Sequence, residues 1–322
     1  QDPRLNQDFQ LKELQLILPK GERRSSVSAS GALNGSPLQL KGSLMLVGDD
    51  DLEASLDLAL GAVTGSVAGN VSDLMEGGQT NLSLSLETKD LTQSIKMFVP
   101  GLTERDGKLF SGTAQVAAVM RGQRGRDLRL DDIDVTTRSE LLRITASGAI
   151  SLVPPAQRGS VPSTRFQVLA ETEQLGSLAG LYKGRVPFEA SAEAHGVLTG
   201  SLGDFRIDDV VIDASGEHGN LSATGYVEGL SDPQGWSIDF RAKSSTDQLG
   251  QFVKSYTQWD LPFIGKGAVL GRISGPRGDV SVSEIELELE SGSMTLKADG
   301  EIGPIGPQAQ FDMPFKITNI TT

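Results

Sequence analysis

One seven-residue pattern occurs four times in this chain. The copies are Val27-Ser28-Ala29-Ser30-Gly31-Ala32-Leu33, Ile144-Thr145-Ala146-Ser147-Gly148-Ala149-Ile150, Leu221-Ser222-Ala223-Thr224-Gly225-Tyr226-Val227 and Leu296-Lys297-Ala298-Asp299-Gly300-Glu301-Ile302. Each reads apolar, polar, Ala, Ser/Thr/Asp, Gly, any, apolar. Apolar or very small residues hold every second place, the period of a strand with one buried and one wet face. Repetition of this kind restricts the chain to an array of like units that bury their apolar faces together.

A second pattern precedes each copy: apolar-x-apolar-x-x-apolar-x-apolar. It is carried by Phe9, Leu11, Leu14, Leu16; by Leu128, Leu130, Ile133, Val135; by Phe205, Ile207, Val210, Ile212; and by Val280, Val282, Ile285, Leu287. Strict alternation would turn every residue beyond the doubled polar pair to the wrong face. A β-bulge at Lys12-Glu13, Asp131-Asp132, Asp208-Asp209 and Ser283-Glu284 restores the apolar face and adds twist. The bulged strand and the seven-residue strand form an antiparallel pair. The second strand starts at 27, 144, 221 and 296, a period of about 76 residues with one enlarged interval. The enlargement, residues 34–80, reads as three further alternating strands at 38–47, 52–60 and 63–71.

Later units add a strand that runs into a helix start. The strands carry Leu82, Leu84, Leu86; Phe166, Val168, Ala170; and Trp236, Ile238, Phe240, Ala242. Thr88-Lys89-Asp90-Leu91, Thr172-Glu173-Gln174-Leu175 and Thr246-Asp247-Gln248-Leu249 follow. The threonine is the expected N-cap. Apolar residues then recur at helical spacing for two to three turns, too short to stand without an apolar support. A long alternating strand comes next, at 110–120, 186–198 and 267–273. In the middle unit its inner face is Val186, Phe188, Ala190, Ala192, Ala194, Gly196, Leu198.

The expected fold is therefore mainly β: an elongated, twisted antiparallel sheet forming a groove, with short amphipathic helices once per repeat. Residues 1–80 form a partial repeat with extra strands. Residues 81–165, 166–235 and 236–309 are repeats, and 310–322 begin another. The inner face is expected to be lined by Leu128, Leu130, Ile133, Val135, Ile144, Val186, Phe188, Ala190, Ala192, Leu198, Phe205, Ile207, Val210, Ile212, Leu221, Val227, Ile238, Phe240, Val280, Val282, Ile285, Leu287 and Leu296.

Composition narrows function mainly by exclusion. The net charge of −13 and the lack of a basic stripe argue against nucleic acid or an anionic membrane surface as partner. There are no cysteines, so neither disulfides nor thiolate metal sites can form. No apolar run is long enough for a membrane-spanning helix. Aromatics make up only 5% of the chain, lean for a packed core of this length.

Catalytic groups do not converge. His195 shares a polar strand face with Glu189, Ser191 and Glu193, and His218 lies in the turn Gly216-Glu217-His218-Gly219. Both read as exposed surface histidines. The pairs Asp131-Asp132 and Asp208-Asp209 resemble acid/base carboxylates, but Lys12-Glu13 and Ser283-Glu284 stand at the equivalent places. A polar bulge accounts for all four. Asp49-Asp50-Asp51 reads as a solvated turn, since no Gly and Glu follow at calcium-loop spacing. The Gly-x-x-Gly turns precede strands and not helices, unlike phosphate loops. Trp236 and Trp259 read as packing residues. No enzyme activity, metal or cofactor is expected.

The bulged strand with its Gly-Asp turn, seen in residues 200–227 and their copies, resembles the AsmA-like proteins, as does Thr172-Glu173-Gln174-Leu175 with its copies. Together with the TamB-like proteins of Gram-negative bacteria they belong to the repeating-β-groove, or bridge-like, lipid-transfer class. The resemblance covers nearly the whole chain, least well residues 34–80. It implies a half-open sheet, or β-taco, whose concave apolar face takes phospholipid acyl chains. It further implies a place in the periplasm, further repeats of the same chain, an inner-membrane anchor outside this sequence, and a part in outer-membrane biogenesis. The alternative on residue pattern alone is a structural or adhesive β-repeat protein with a dry, self-packed core.

Overall fold

A computed structural model describes residues 8–98, 104–123, 126–153, 164–181, 190–201, 204–230, 235–251, 254, 264–292, 294–304, 311–312 and 315–318. The chain divides into two compact units, Gln1–Phe166 and Gln167–Thr322.

In the first unit the strands are β1 (Phe9–Ile17), β2 (Arg24–Leu33), β3 (Ser36–Val47), β4 (Asp51–Leu60), β5 (Val63–Ser72), β6 (Gln79–Thr88), β7 (Gly112–Gln123), β8 (Arg129–Ser139) and β9 (Arg143–Ser151). Each pairs antiparallel with the next in sequence order. Two helices, α1 (Leu91–Phe98) and α2 (Glu104–Leu109), lie between β6 and β7. The expected strands of residues 34–80 are all present as β3, β4 and β5. The helix α2 was not expected: Glu-Arg-Asp-Gly-Lys-Leu carries no apolar stripe.

β10 (Thr164–Thr172) spans the division. The second unit continues with α3 (Leu175–Leu181), β11 (Ala190–Ser201), β12 (Asp204–Gly216), β13 (Gly219–Glu228), β14 (Ser237–Thr246), β15 (Lys266–Pro276), β16 (Ser281–Ser291), β17 (Met294–Ile302), β18 (Phe311–Asp312) and β19 (Phe315–Thr318). From β11 to β17 the pairing is again antiparallel and sequential. β18 and β19 both pair with β17. The fold is thus mainly β with few short helices.

The doubled polar residues are bulges. β8 skips a residue against β9 between Leu130 and Ile133, β12 against β13 between Ile207 and Val210, and β16 against β17 between Val282 and Ile285. The extra residue is absorbed by a left-handed backbone at Asp132 (φ 48°), Asp209 (φ 51°) and Glu284 (φ 53°). Aspartate tolerates that region better than most side chains. The residue after the bulge, Ile133, Val210 or Ile285, is buried. It faces the signature glycine of the next strand, Gly148, Gly225 or Gly300.

The first copy departs from the others. β1 also shifts register, between Leu11 and Glu13, but Leu14 faces Ala29 and not Gly31. The strand is slid by two residues relative to the three later copies, and every one of its residues is exposed.

The threonines before the helices correct the expected cap. The helices start at Leu91 and Leu175, and the described residues Leu249–Gln251 are helical too. Each threonine is therefore three residues upstream. Its hydroxyl accepts the amide two positions on: Asp90 N–H to Thr88 at 3.1 Å, Gln174 N–H to Thr172 at 3.0 Å, Gln248 N–H to Thr246 at 2.9 Å. In α1 the cap is Asp90, whose carboxylate accepts the Gln93 amide at 2.8 Å. The threonines are buried, so the turn they close is shielded from water. Thr172→Val keeps the shape and removes the acceptor. It is expected to cost about 1 kcal/mol, read as a lower urea midpoint at unchanged slope.

Candidate functional site

Pairing register assigns each strand residue to a face, because directly opposed residues share one. In the second unit one face carries Ala190, Ala192 and Leu198 of β11, then Phe205, Ile207, Val210 and Ile212 of β12. It continues through Leu221 and Val227 of β13 and Ile238 and Phe240 of β14. Val282, Ile285 and Leu287 of β16 and Leu296 of β17 complete it. In the first unit Leu130, Ile133 and Val135 of β8 share a face with Ile150, Gly148 and Ala146 of β9, and Ile144 lies opposite Thr137 of the same face. Leu128 and Val280 stand just ahead of β8 and β16. Val186 and Phe188 lie outside the described residues, as does Trp259.

The face is apolar but not sealed. No described side chain is buried to below 2% of its accessible area. Among the described residues of each unit the main contacts run from one strand to the next, with α1 against β7 and α3 against β11. Leu221 remains 40% exposed and Val269 37%. A hollow of about 340 Å³ sits on this face, lined by Leu221, Ala242, Val269, Ile273, Val282, Ile285, Leu287 and Ile302 among others. Sequence reading missed Val269 and Ile273 as lining, although both fall in the expected strand 267–273.

Glycines set the spacing within the face. Gly225 lies directly opposite Phe240. A Cβ at 225 would meet the carbonyl of Asp239 and the Cα of Phe240; one at 148 would meet Arg165 and Phe166 in the same way. The bare backbone lets the next strand approach closely.

The opposite face is charged and internally paired. Arg272 donates two hydrogen bonds to Asp239, at 2.8 and 2.7 Å. Lys297 meets Glu288 at 2.6 Å. The bulge acids are held by arginines: Arg121 reaches Asp132 at 2.9 Å, Arg129 reaches Asp131 at 2.6 Å, and Arg206 pairs with Asp208. Asp131, Asp132 and Asp208 are thus each tied to a guanidinium group beside the bulge. His195 is exposed on this face; His218 is half-buried, against expectation. Asp50 and Asp51 accept the amides of Met75 (2.9 Å) and Asp73 (3.3 Å), so the aspartate run ties down a neighbouring turn. Among the described residues no group of three or more His, Asp or Glu is placed to hold a metal ion.

The hydrogen bonds from Arg272 hold the Asp239 carboxyl below the usual carboxylate range, against the opposing effect of burial. A depressed folded pKa contributes stability above the unfolded value of about 3.9, and that contribution is lost as pH falls through the folded value. Arg272→Ala is expected to raise the Asp239 pKa, read by NMR titration of its carboxyl carbon.

These features define a β-sheet protein with an apolar face and a salt-bridged face in each unit. Comparison with models of known protein families, with curated proteins and with solved structures finds no match.

Proposed function

We propose that this chain is a non-enzymatic, lipid-binding groove segment of a periplasm-spanning phospholipid transport protein that supports outer-membrane biogenesis. The observation that carries the reading is the partly exposed apolar face of the second unit, with Leu221 and Val269 open to solvent, and its apolar hollow. A soluble protein gains nothing from leaving such a face in water, whereas an acyl chain laid on it gains ~0.8 kcal/mol per buried CH₂. From β8 onward, each stretch of about 76 residues with four strands and one short helix forms one repeat. The bulges curve the sheet so that the apolar face becomes the inside of a groove. Headgroups stay at the open side, so no specific charged contact is needed. The AsmA-like and TamB-like resemblance supports a periplasmic location and an inner-membrane anchor outside this sequence.

Native mass spectrometry with solvent extraction tests the reading. Gently purified protein is expected to carry several phospholipid masses per chain, released by organic solvent. A clean protein mass, with no lipid in the extract and none taken up from phospholipid vesicles, overturns it in favour of a dry structural repeat.

A further inference from the structure

The hairpin turn between β2 and β3 carries the only Asn-Gly pair in the sequence, Asn34-Gly35. Asparagine is a thermolabile residue, most of all before glycine, where no side chain hinders the next backbone nitrogen from reaching Cγ. The pair forms a two-residue turn, with Leu33 opposite Ser36 and a left-handed backbone at both residues (φ 49° and 77°). Turns of that kind join paired strands, and Asn-Gly favours them. Turn chemistry accounts for the two residue types. It does not account for where the asparagine side chain goes.

The Asn34 side chain reaches α1, 63 residues on. Its Nδ2 donates to the Met97 carbonyl at 2.8 Å, and its Oδ1 accepts the Asp8 amide at 2.8 Å. An acceptor on one side and a donor on the other fix which way the amide points. The Met97 carbonyl belongs to the last turn of α1, where a helix leaves its carbonyls without internal partners. Asn34 thus caps α1 from a distant part of the chain. The Met97 side chain is buried and lies against the β4–β5 turn: a Cβ on Gly61 would come within 3.1 Å of its methyl carbon. Gly61 in turn donates its amide to the Pro37 carbonyl at 3.0 Å. The end of α1 is therefore fastened at one polar and one apolar point. A helix of eight residues has little hold of its own.

We propose that Asn34 is a self-modifying latch: its amide is held and inert while α1 is docked, and when α1 lifts it converts to aspartate or isoaspartate, which keeps α1 from closing again. In the lifted state the Gly35 nitrogen attacks Asn34 Cγ. The new C–N bond closes a five-membered imide and the Cγ–Nδ2 bond breaks. Nδ2 leaves as ammonia, taking the Gly35 amide proton. Water then opens the ring. Breaking the Cγ–N bond leaves aspartate; breaking the original peptide bond leaves isoaspartate, whose main chain runs through the side-chain methylene. Neither product has a donor for the Met97 carbonyl, because each carries an ionised carboxyl group that only accepts. Ring closure swings Cγ onto the Gly35 nitrogen, and that swing breaks the bonds to Met97 and Asp8. The docked helix is what holds the reaction back.

The test uses the whole protein in mildly alkaline buffer. Peptide mass spectrometry reads the amide-to-acid exchange at Asn34, and isoaspartyl methyltransferase labels the rearranged product. Asn34 is expected to convert at least about tenfold more slowly in folded protein than in protein unfolded by urea. Met97→Ala removes the apolar fastening and leaves both reacting groups in place. It is expected to raise the folded-state conversion rate about tenfold or more, with a like rise in hydrogen exchange of the α1 amides. If exchange rises across β6 as well, the variant has unfolded the unit. Sub-denaturing urea on the unaltered protein then takes its place, and conversion is expected to rise in step with α1 exchange. Asn34→Asp supplies the product, and its α1 amides are expected to exchange about tenfold or more faster than those of the unaltered protein. Equal conversion in folded and unfolded protein overturns the proposal. So does conversion that does not follow α1 opening, or α1 exchange left unchanged by Asn34→Asp.

Discussion

Gly225→Val is expected to detach β14 from β13 and to unfold the second unit at a much lower urea concentration. By intrinsic preference the substitution should strengthen a strand, since valine is a better strand former than glycine. Sterics decide otherwise. The first side-chain carbon at 225 would collide with the Asp239 carbonyl and approach the Phe240 Cα to 2.8 Å. Those atoms are backbone and cannot rotate away, so the two strands must part or shift. Separation would strand ladder hydrogen bonds between β13 and β14. The expected loss exceeds about 3 kcal/mol, at the severe end of single substitutions. Gly225→Ala should show most of the same loss, because the clash begins at Cβ. Thr224→Val, one residue away on the exposed face, should change stability by less than about 0.5 kcal/mol. Urea midpoints measure all three, and hydrogen exchange over Ser237–Thr246 should localise the damage. Equal midpoints for Gly225→Val and Thr224→Val would show that the close approach is not required.

That glycine shows how far the fold was legible. Its recurrence in the four signature strands is plain in the sequence, as is the phase shift that marks each bulge. Both survive because period-two alternation is a strong constraint: a misplaced residue would point to the wrong face. The left-handed residues at Asp132, Asp209 and Glu284 follow from the same constraint, since one extra residue must be absorbed somewhere. What the glycines face was not legible. Gly225 opposite Phe240 depends on the register between β13 and β14, and alternation along each strand leaves any slide by two residues open.

Other features failed for local reasons. Thr88, Thr172 and Thr246 mark the approach to a helix correctly, but a threonine two residues before a cap carries the same composition signal as a cap. The slide of β1 by two residues keeps every side chain on its face, so alternation along the strand does not reveal it. The ion pairs on the charged face, such as Arg272 with Asp239, join residues 33 apart in sequence; they become visible only once the strands are aligned. The apolar lining was the most readable part of the candidate site, because face assignment needs only parity along each strand.

Val269→Asp should empty the apolar face of lipid while leaving the protein folded. Val269 lines the hollow and is 37% exposed, so a carboxylate there can reach water when no lipid is present. Folding should therefore cost little. With an acyl chain laid across the face, the same carboxylate would lose its water with no partner to replace it, a penalty of several kcal/mol. Each 1.4 kcal/mol is tenfold in affinity, so lipid occupancy should fall by about a hundredfold or more. Val211→Asp is the matched control. Val211 lies opposite His195 and Thr224 on the charged face, where an added carboxylate meets solvent, and lipid content should stay at the level of the unaltered protein. The two variants carry the same charge on the same sheet and differ only in which face receives it. Lipid contact also raises the pKa of the carboxyl introduced by Val269→Asp through desolvation, so binding favours its neutral form. Acidification through about pH 4, the ordinary range of an aspartate, should then restore part of the lipid to the Val269→Asp protein and change nothing in the Val211→Asp protein. Lipid extraction with native mass spectrometry reads both variants at both pH values. Loss of lipid from both, or from neither, would mean that the apolar face is not where lipid lies.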